Sequence, residues 1–291
     1  MANQYDHLTP TAIKRLSLPA EKRIQSIYEP RWLGYPHALK ILSELDRLHR
    51  APRKNRQPGM LLFGDTNNGK SMIINRFAEK YNSIDDPEEH LAQIPVLLTQ
   101  APPKADETRF YENILDSLMI PYRRTGGAGE KQFQVIQALK NSTIRTMVID
   151  EFSNVLAGTN DKRRQFLNAI KNISNELQVN IIGVGTHEAR NAIRSDPQLT
   201  NRLPPCELPK WFFDNSFRRL LLSFEQVLPL KLPSNLAGKD LSQKLYVMCE
   251  GIIGELSNLL ELSAEEAIRC GKEKIDPEIL ANINWIAPSK R

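Results

Sequence analysis

Eight consecutive residues have the types and spacing needed to hold the phosphates of a nucleotide. They comprise two glycines with four residues between them, a lysine and a hydroxyl residue: Gly64-Asp65-Thr66-Asn67-Asn68-Gly69-Lys70-Ser71. Glycines let successive backbone N–H groups turn toward phosphate oxygens, and the start of a following helix adds partial positive charge. Lys70 can reach the terminal phosphates, and Ser71 offers a hydroxyl to Mg²⁺. The segment therefore predicts a P-loop that binds ATP with magnesium.

Two carboxylates follow an apolar segment later in the chain. Thr146-Met147-Val148-Ile149 is followed directly by Asp150 and Glu151. In a P-loop protein, the first acid belongs to the magnesium shell and the second polarises the attacking water. The alternative is a strand that ends in solvent-exposed acids. Beside a P-loop, the pair indicates hydrolysis rather than binding alone.

Two further residues are candidates for contact with the γ-phosphate. Thr186 follows the apolar segment Val179–Val184 and is interpreted either as a polar sensor or as the hydroxyl that caps the next helix. Arg202 lies just beyond that helix, where an arginine can reach the nucleotide of a neighbouring subunit and stabilise transition-state charge. An ordinary solvated arginine is the alternative.

Apolar segments alternate with helical patterns between residues 60 and 184. The strands are predicted at Met60–Phe63, Val96–Thr99, Thr146–Ile149 and Val179–Val184. Continuous apolar strands separated by helices are typical of a parallel sheet covered on both faces. The fold class is therefore α/β, a P-loop NTPase with a parallel sheet flanked by helices and a small helical lid at the carboxyl end. The lid is predicted as four helical segments.

Three parts are expected along the chain. Residues 1–30 are predicted to be an irregular N-terminal extension, in which Pro10, Pro19 and Pro30 limit helix length. Residues 31–210 are predicted to form the α/β ATPase core, and residues 211–291 the helical lid and C-terminal segment.

The composition is that of an ordinary globular protein. Hydrophobic residues make up 41% of the 291 residues and charged residues 25%. No apolar run approaches the roughly 18 residues of a membrane span, and the start of the chain lacks the apolar stretch of a signal peptide. Three cysteines without metal-type spacing favour a reducing compartment, so we expect a cytoplasmic protein with no membrane partner. The formal charge of +5 is compatible with a polyanionic partner without establishing one.

The ordered set of motifs resembles AAA+ ATPases, and more closely the TniB/TnsC family of transposon ATPases. The resemblance runs from about Trp32 to Ile279. It rests on Trp32-Leu33-Gly34-Tyr35-Pro36, the P-loop interior, the segment Gly185 to Arg202, and the segments 217–221 and 250–256. It departs from many AAA+ lids at Gly251-Ile252-Ile253-Gly254, where glycine replaces the usual arginine and leaves the contact of the lid with the γ-phosphate open.

This resemblance implies an ATP-dependent regulator of DNA transposition. Such proteins assemble on double-stranded DNA as rings or filaments, without sequence preference, with ATP at the subunit boundaries. They link a TniQ-like target selector to a DDE transposase, and hydrolysis controls disassembly. A bacterial, DNA-associated protein is therefore expected.

The resemblance also implies roles for further residues. Loops after the second strand line the inner face of the ring in this family, so the DNA candidates are Lys104, Arg109, Arg123, Arg124 and Thr125. Cations and hydroxyls suit phosphate contacts, although a solvated charged surface is the alternative. Trp32 and Tyr35 are expected either to flank the adenine or to form a buried aromatic pair. Gly254, at the second-sensor position of the lid, is expected to lie at the nucleotide site.

Other functions fit part of the pattern. An AAA+ loader or remodeller of a helicase or another DNA-processing protein would carry the same P-loop and acids. An ATP-gated scaffold with very slow hydrolysis is a third interpretation. A P-loop kinase fits less well, because Asp150-Glu151 and a helical lid suit hydrolysis between subunits.

Overall fold

Five short strands form one parallel sheet in the computed structural model, which describes residues 5–54, 56–82, 94–194 and 197–291. The spatial order is β2-β3-β4-β1-β5. The strands are β1 (Met60–Phe63), β2 (Val96–Gln100), β3 (Thr146–Asp150), β4 (Asn180–Gly185) and β5 (Pro205–Glu207). Because all pairings are parallel, the carboxyl ends of these strands lie at one edge of the sheet.

The chain divides into two compact units. We call residues 36–66 and 70–208 the α/β unit, and residues 1–35, 67–69 and 209–291 the helical unit. Among the described residues, no helix is long and apolar enough to cross a membrane.

Helices connect the strands of the α/β unit. They are α3 (Pro36–Arg50), α4 (Lys70–Asn82), α5 (Glu107–Ser117), α6 (Ala128–Lys140), α7 (Asn160–Leu177), α8 (His187–Arg194) and α9 (Pro197–Thr200), with a 3₁₀ turn at Phe152–Leu156. Asp106 and Thr159 cap α5 and α7 by accepting hydrogen bonds from the first free N–H groups. The apolar faces of these helices and the sheet enclose one core, in which the rings of Phe110 and Phe166 meet edge-on at 4.9 Å.

The predicted fold class and all four predicted strands are confirmed. The fifth strand, β5, was not predicted, because Pro204 and Pro205 at its start argue against a strand. Pro205 is tolerated because β5 lies at the edge of the sheet and the proline is its first residue. The Leu61 N–H still donates to the Pro204 carbonyl at 3.0 Å.

The helical unit has its own core. Its helices are α1 (Pro10–Leu16), α2 (Ala20–Ile27), α10 (Asn215–Val227), α11 (Lys239–Cys249), α12 (Ile253–Arg269) and α13 (Pro277–Asn282), with a 3₁₀ turn at Pro288–Lys290. Buried residues of α10, α11 and α12 form most of that core. The four predicted C-terminal helices are present, but Gly254 lies inside α12 instead of between two helices.

The expectation of an irregular N-terminus is wrong. Pro10 is the first residue of α1 and Pro19 caps α2, so these prolines start short helices. Ile24 and Ile27 of α2 lie in the core of the helical unit. Arg23 is also buried and forms an ion pair with Glu273 at 2.6 Å. Residues 10–27 are therefore integral to the packing of the helical unit.

A buried histidine makes the stability of the α/β unit depend on pH. His49 of α3 is 5% exposed, stacks on Tyr81 at 3.9 Å and bonds to the Thr146 hydroxyl through Nδ1 at 3.0 Å. Burial lowers its pKa to about 4 from 6.5; nearby Arg145, Arg50 and Lys80 also lower it, whereas Asp46 raises it. The folded protein therefore binds this proton less readily than the unfolded chain.

We predict that the free energy of unfolding falls by about 2 kcal/mol between pH 7 and pH 4.5 because of His49. The contribution is fully present above pH 6.5 and is lost as the pH falls toward 4. Urea titrations at several pH values measure it. The variant His49→Phe keeps the ring packing and should show a flatter profile over this range; an unchanged profile would contradict the assignment.

Candidate functional site

The predicted P-loop lies between the end of β1 and the start of α4. Asn67 and Gly69 have positive φ angles of 58° and 89°. Left-handed residues in such a turn direct neighbouring N–H groups toward one point, which suits an anion. Glycine adopts this backbone conformation without steric cost, which accounts for Gly69. The loop therefore has the backbone form of a phosphate cradle at the amino end of α4.

Lys70 lies over the base of this loop. Its Nζ donates to the carbonyl oxygens of Gly64 at 3.0 Å and Asp65 at 2.6 Å. Burial lowers the pKa of Lys70, and the carboxylates of Asp150, Asp65 and Glu151 oppose that shift. A partly buried ammonium held only by carbonyl oxygens fits a phosphate, which would supply a full negative charge.

Ser71 and Asp150 meet beside the lysine. The Ser71 hydroxyl donates to Asp150 Oδ2 at 3.3 Å, which joins the start of α4 to the end of β3. Among the described residues, no group of three or more His, Cys, Asp or Glu side chains could hold a metal. Mg²⁺ in nucleotide sites needs only one or two protein oxygens, because phosphates and water complete its shell. The Ser71–Asp150 pair fits that requirement.

Glu151 follows in a left-handed conformation with φ of 55°. Its N–H donates to its neighbour's carboxylate, Asp150 Oδ1, at 2.8 Å, and its side chain is exposed. A non-glycine residue held in this region costs on the order of 1 kcal/mol and is frequent at functional sites. The turn separates the two acids, so that Asp150 pairs with Ser71 while the Glu151 carboxylate stays accessible to water.

Thr186 lies directly after β4 and pairs with a residue that the sequence analysis missed. Ser153 Oγ is 2.8 Å from Thr186 Oγ1 and also accepts the Thr186 N–H at 2.9 Å. The Thr186 hydroxyl is therefore engaged by the turn that follows Glu151, and the carbonyl of Thr186 accepts the Ala189 N–H at 3.0 Å. No sequence pattern marks Ser153, because its role depends on β3 and β4 being neighbours.

The tip of the P-loop, residues 67–69, belongs to the helical unit. The Gly254 N–H donates to the Asn67 carbonyl at 2.9 Å, and Asn67 Nδ2 donates to Glu255 Oε1 at 3.0 Å. The side chain of Asn68 is buried and donates to the Pro209 carbonyl at 3.0 Å. The two asparagine side chains thus hold the tip in place.

Glu255 is a second residue that the sequence analysis missed. It is 6% exposed, and its Oε2 forms an ion pair with Arg291 at 2.7 Å. A buried carboxylate is stable only when it is paired and hydrogen-bonded, as Glu255 is by Arg291 and Asn67. Gly254 beside it has no side chain to extend toward a nucleotide, so its predicted contribution is limited to close backbone contact with the loop tip.

The two aromatic candidates have different environments. Tyr35 is buried and meets Trp211 edge-on at 5.1 Å, and burial raises the pKa of Tyr35 to about 12. A side chain at Gly69 would come within 3.6 Å of the Tyr35 hydroxyl, which places this tyrosine beside the loop tip. Trp32 is half-buried. The aromatic partner of Tyr35 is thus Trp211, a residue that was not predicted.

Arg202 lies away from the P-loop of its own chain. It precedes β5, and its carbonyl accepts the Gly59 N–H at the start of β1. Its guanidinium NH1 donates to Asn175 Oδ1 at 2.8 Å. The P-loop follows the opposite end of β1, which at about 3.3 Å per residue is roughly 13 Å away. An arginine at the amino-terminal end of β1 cannot reach a nucleotide in the P-loop of the same chain, because the P-loop follows the carboxyl end of β1.

The DNA candidates fall into two groups around α5. Lys104 and Arg109 are exposed before and within its first turn, whereas the exposed residues Arg123, Arg124 and Thr125 follow the helix in sequence. The second group lies beside the middle of α5, because Lys131 is bonded both to Glu112 and to the Arg124 carbonyl. Both groups are solvent-exposed cationic sites.

A buried lysine shapes the second of these sites. Lys131 is 2% exposed; its Nζ donates to Glu112 at 2.6 Å and to the Arg124 carbonyl at 3.2 Å. The same ammonium lies 5.6 Å from the centre of the Tyr122 ring. Lys131 thus holds residues 122–125 in place from the buried side of their loop. Its sequence context does not reveal this role.

Comparison with known proteins places these features in a family. The family model described as "Bacterial TniB protein" matches residues 23–213, which include the P-loop, the two acids and Arg202. No curated protein sequence matches the chain significantly.

Solved structures share the fold at low sequence identity. Cdc6p from Pyrobaculum aerophilum is similar with a TM-score of 0.65 and 18% identity, covering 88% of this chain and 69% of that protein. ORC2 from Aeropyrum pernix, solved as ADPNP–ADP complexes, has a TM-score of 0.61 and 14% identity over 88% and 69%. ORC1 from Aeropyrum pernix in complex with DNA has a TM-score of 0.57 and 15% identity over 89% and 67%. These similarities establish an AAA+ ATPase fold.

We predict that Gly254→Ala weakens ATP binding at least tenfold. A Cβ at this position would lie 2.1 Å from Asn67 Oδ1 and 2.4 Å from the Asn67 carbonyl oxygen, so the loop tip must move. Overpacking of this kind costs about 1–3 kcal/mol. Titration with a fluorescent ATP analogue measures the affinity.

Gly129→Ala is the matched control, because a Cβ at Gly129 meets nothing within 4 Å. It should bind the analogue as the wild type does. Equal affinity of both variants and the wild type would show that the position of the loop tip does not control binding.

Proposed function

Because this chain belongs to the TniB family, we propose that it is an ATP-hydrolysing regulator of DNA transposition that assembles on double-stranded DNA. The observation that carries the ATPase part of the proposal is the meeting of Lys70, Ser71 and Asp150 at the carboxyl edge of a parallel sheet. That edge is where open α/β sheets bind their ligands. The AAA+ fold supports the same conclusion.

Each residue would have a separate task when ATP and Mg²⁺ are bound. The loop N–H groups and Lys70 would neutralise the phosphates, and Ser71 with Asp150 would hold the magnesium ion. Glu151 would orient the attacking water and accept its proton. Thr186, positioned by Ser153, would donate a hydrogen bond near the γ-phosphate. A bound Mg²⁺ would supply charge stabilisation that these side chains alone do not.

Assembly is the second part of the proposal. Arg202 lies at the amino-terminal ends of the strands, opposite the P-loop, so a catalytic role for it would require a nucleotide held by another copy. Hydrolysis would then depend on contact between subunits, in a ring or filament. In a heterologous interface of this kind, the surface of one subunit that carries Arg202 contacts the surface of the next subunit that carries the P-loop.

Duplex DNA is the proposed polymer on which the subunits assemble. The exposed cations before, within and after α5 suit contacts with backbone phosphates and need no base recognition. In this proposal a TniQ-like target selector and a DDE transposase bind the assembly, which resides in the bacterial cytoplasm. ATP state would control how long the assembly lasts.

We predict that Glu151→Gln lowers the ATP turnover number by about 10²–10⁴-fold while ATP affinity is kept. Glutamine has the same shape but cannot accept the proton. A phosphate-release assay with DNA present measures turnover, and Glu79→Gln on an exposed face of α4 is the control. Wild-type turnover in Glu151→Gln would exclude Glu151 as the base.

We predict that Lys104→Gln/Arg123→Gln/Arg124→Gln weakens DNA binding equally for all sequences. The slope of log affinity against log salt should decrease by about 0.9 for each lost phosphate contact. Fluorescence anisotropy with labelled duplexes at several salt concentrations measures both quantities. Lys14→Gln/Lys22→Gln/Lys239→Gln removes three exposed lysines of the helical unit and is the charge-matched control.

Equal slopes for the two triple variants would show that these cations do not bind DNA. Assembly that requires a protein partner and ignores duplex DNA would instead favour a loader or remodeller of another protein.

A further inference from the structure

A cationic cavity lies in the α/β unit at the edge opposite the P-loop. Its volume is about 590 Å³, within the range of small-molecule sites. It is formed by the end of α3, the loop before β1 and the residues before β5. The polar and charged residues that line it are Arg47, Lys54, Arg56, Gln57, Asn201 and Arg202.

The charge of this cavity is one-sided. Lys54, Arg56 and Arg202 carry positive charge, and no Asp or Glu is among the described residues that line the cavity. Arg47 is also cationic, but its charge is paired with Glu44 of α3 at 2.5 Å. Like charges around one cavity repel each other, and an anion bound between them would remove that repulsion. The chemistry of the cavity therefore selects a ligand with several negative charges.

One side chain in the cavity has an unmet hydrogen-bonding group. Gln57 is 4% exposed, and its Oε1 has no hydrogen-bond partner in the part of the chain that the structure describes. A buried polar atom without a partner costs about 1–3 kcal/mol. A hydroxyl of a bound ligand or a water molecule would satisfy it.

The shape of the cavity favours a discrete ligand over a duplex. Duplex DNA presents a convex backbone, which suits an outward-facing row of cations such as those around α5. A concave cavity of this volume admits a protruding chain of phosphates instead. Arginine at such a site binds phosphate through two parallel N–H donors, whereas lysine acts as a point charge.

We propose that this cavity binds the polyphosphate chain of a nucleotide, with Lys54 and Arg56 acting alongside Arg202. The inference rests on the proposed ATPase function and extends it, because it assigns two further residues to a site that was expected to hold one arginine. The polyphosphate can come from a nucleotide held by a second copy of the chain or from free nucleotide. Both sources present the same chemistry.

Mixing two defective variants tests whether the cavity binds a nucleotide that is held by a second copy of the chain. Lys54→Glu/Arg56→Glu changes two exposed cavity residues, and Lys22→Glu/Lys239→Glu is the control with the same change in charge. Lys70→Ala removes the P-loop lysine but leaves the cavity intact. Alone, the cavity variant should turn over ATP at least tenfold more slowly than the control, and Lys70→Ala should be inactive.

An equal mixture of Lys70→Ala and Lys54→Glu/Arg56→Glu should recover about one quarter of the wild-type rate per chain. One interface in four then joins an intact P-loop to an intact cavity. The double variant Lys54→Gln/Arg56→Gln should lose less ATP turnover when it is alone. Mixed with Lys70→Ala, it should recover turnover in the same way. Circular dichroism shows that each variant is folded.

Binding of tripolyphosphate tests whether the cavity binds a free polyphosphate. Isothermal titration of Lys70→Ala should detect one site, weakened at least tenfold when Lys54→Glu/Arg56→Glu is added. A mixture as inactive as its components, together with no tripolyphosphate binding that depends on residues 54 and 56, overturns the proposal. A wild-type protein without ATP turnover would refute the proposed ATPase function, whereas the tripolyphosphate titration would still test the cavity.

Discussion

The parallel register of β3, β4 and β1 is the constraint on which the candidate site depends. Phe63 lies opposite Gly185, and Ile149 lies opposite Gly183. The three strands therefore end at nearly the same level, where the P-loop, the acid pair and Thr186 begin. The Ser71–Asp150 and Ser153–Thr186 hydrogen bonds follow from this alignment. A shift of one residue in any of the three strands would turn its side chains to the other face.

The P-loop depends on a second set of contacts at its tip. Asn67 and Asn68 use their side chains within the helical unit, through Gly254, Glu255 and Pro209. The base of the loop, residues 64–66, belongs to the α/β unit. Asparagine suits these positions since its amide both donates and accepts hydrogen bonds and its backbone tolerates positive φ.

The distribution of positive charge matters more to function than its total. A formal charge of +5 is modest for 291 residues. The structure places cations in separate environments: partly buried Lys70 at the P-loop, buried Lys131 beneath an exposed loop, and the group around Arg202 in a cavity. Lys131 holds a loop in place and is shielded from solvent, so counting basic residues overstates the surface available to a polyanion.

The fold class was predictable from the sequence, and the P-loop and the acid pair could be proposed from it, because these depend on local spacing and on apolar segments of strand length. The sequence also allowed the resemblance to the family that the family model later matched. Prediction from the sequence failed where a contact joins residues that are distant along the chain. Ser153, Glu255, Trp211 and Lys131 each act through a partner that is brought near by the sheet order or by helix packing. The prolines at 10, 19 and 205 misled the prediction because a proline is tolerated at the start of a helix or an edge strand, and only packing shows which residue is first. Only the tertiary structure shows that Arg202 lies at the amino-terminal ends of the strands, whereas the P-loop follows their carboxyl ends. The position of Arg202 follows from the parallel pairing of β1 with β5.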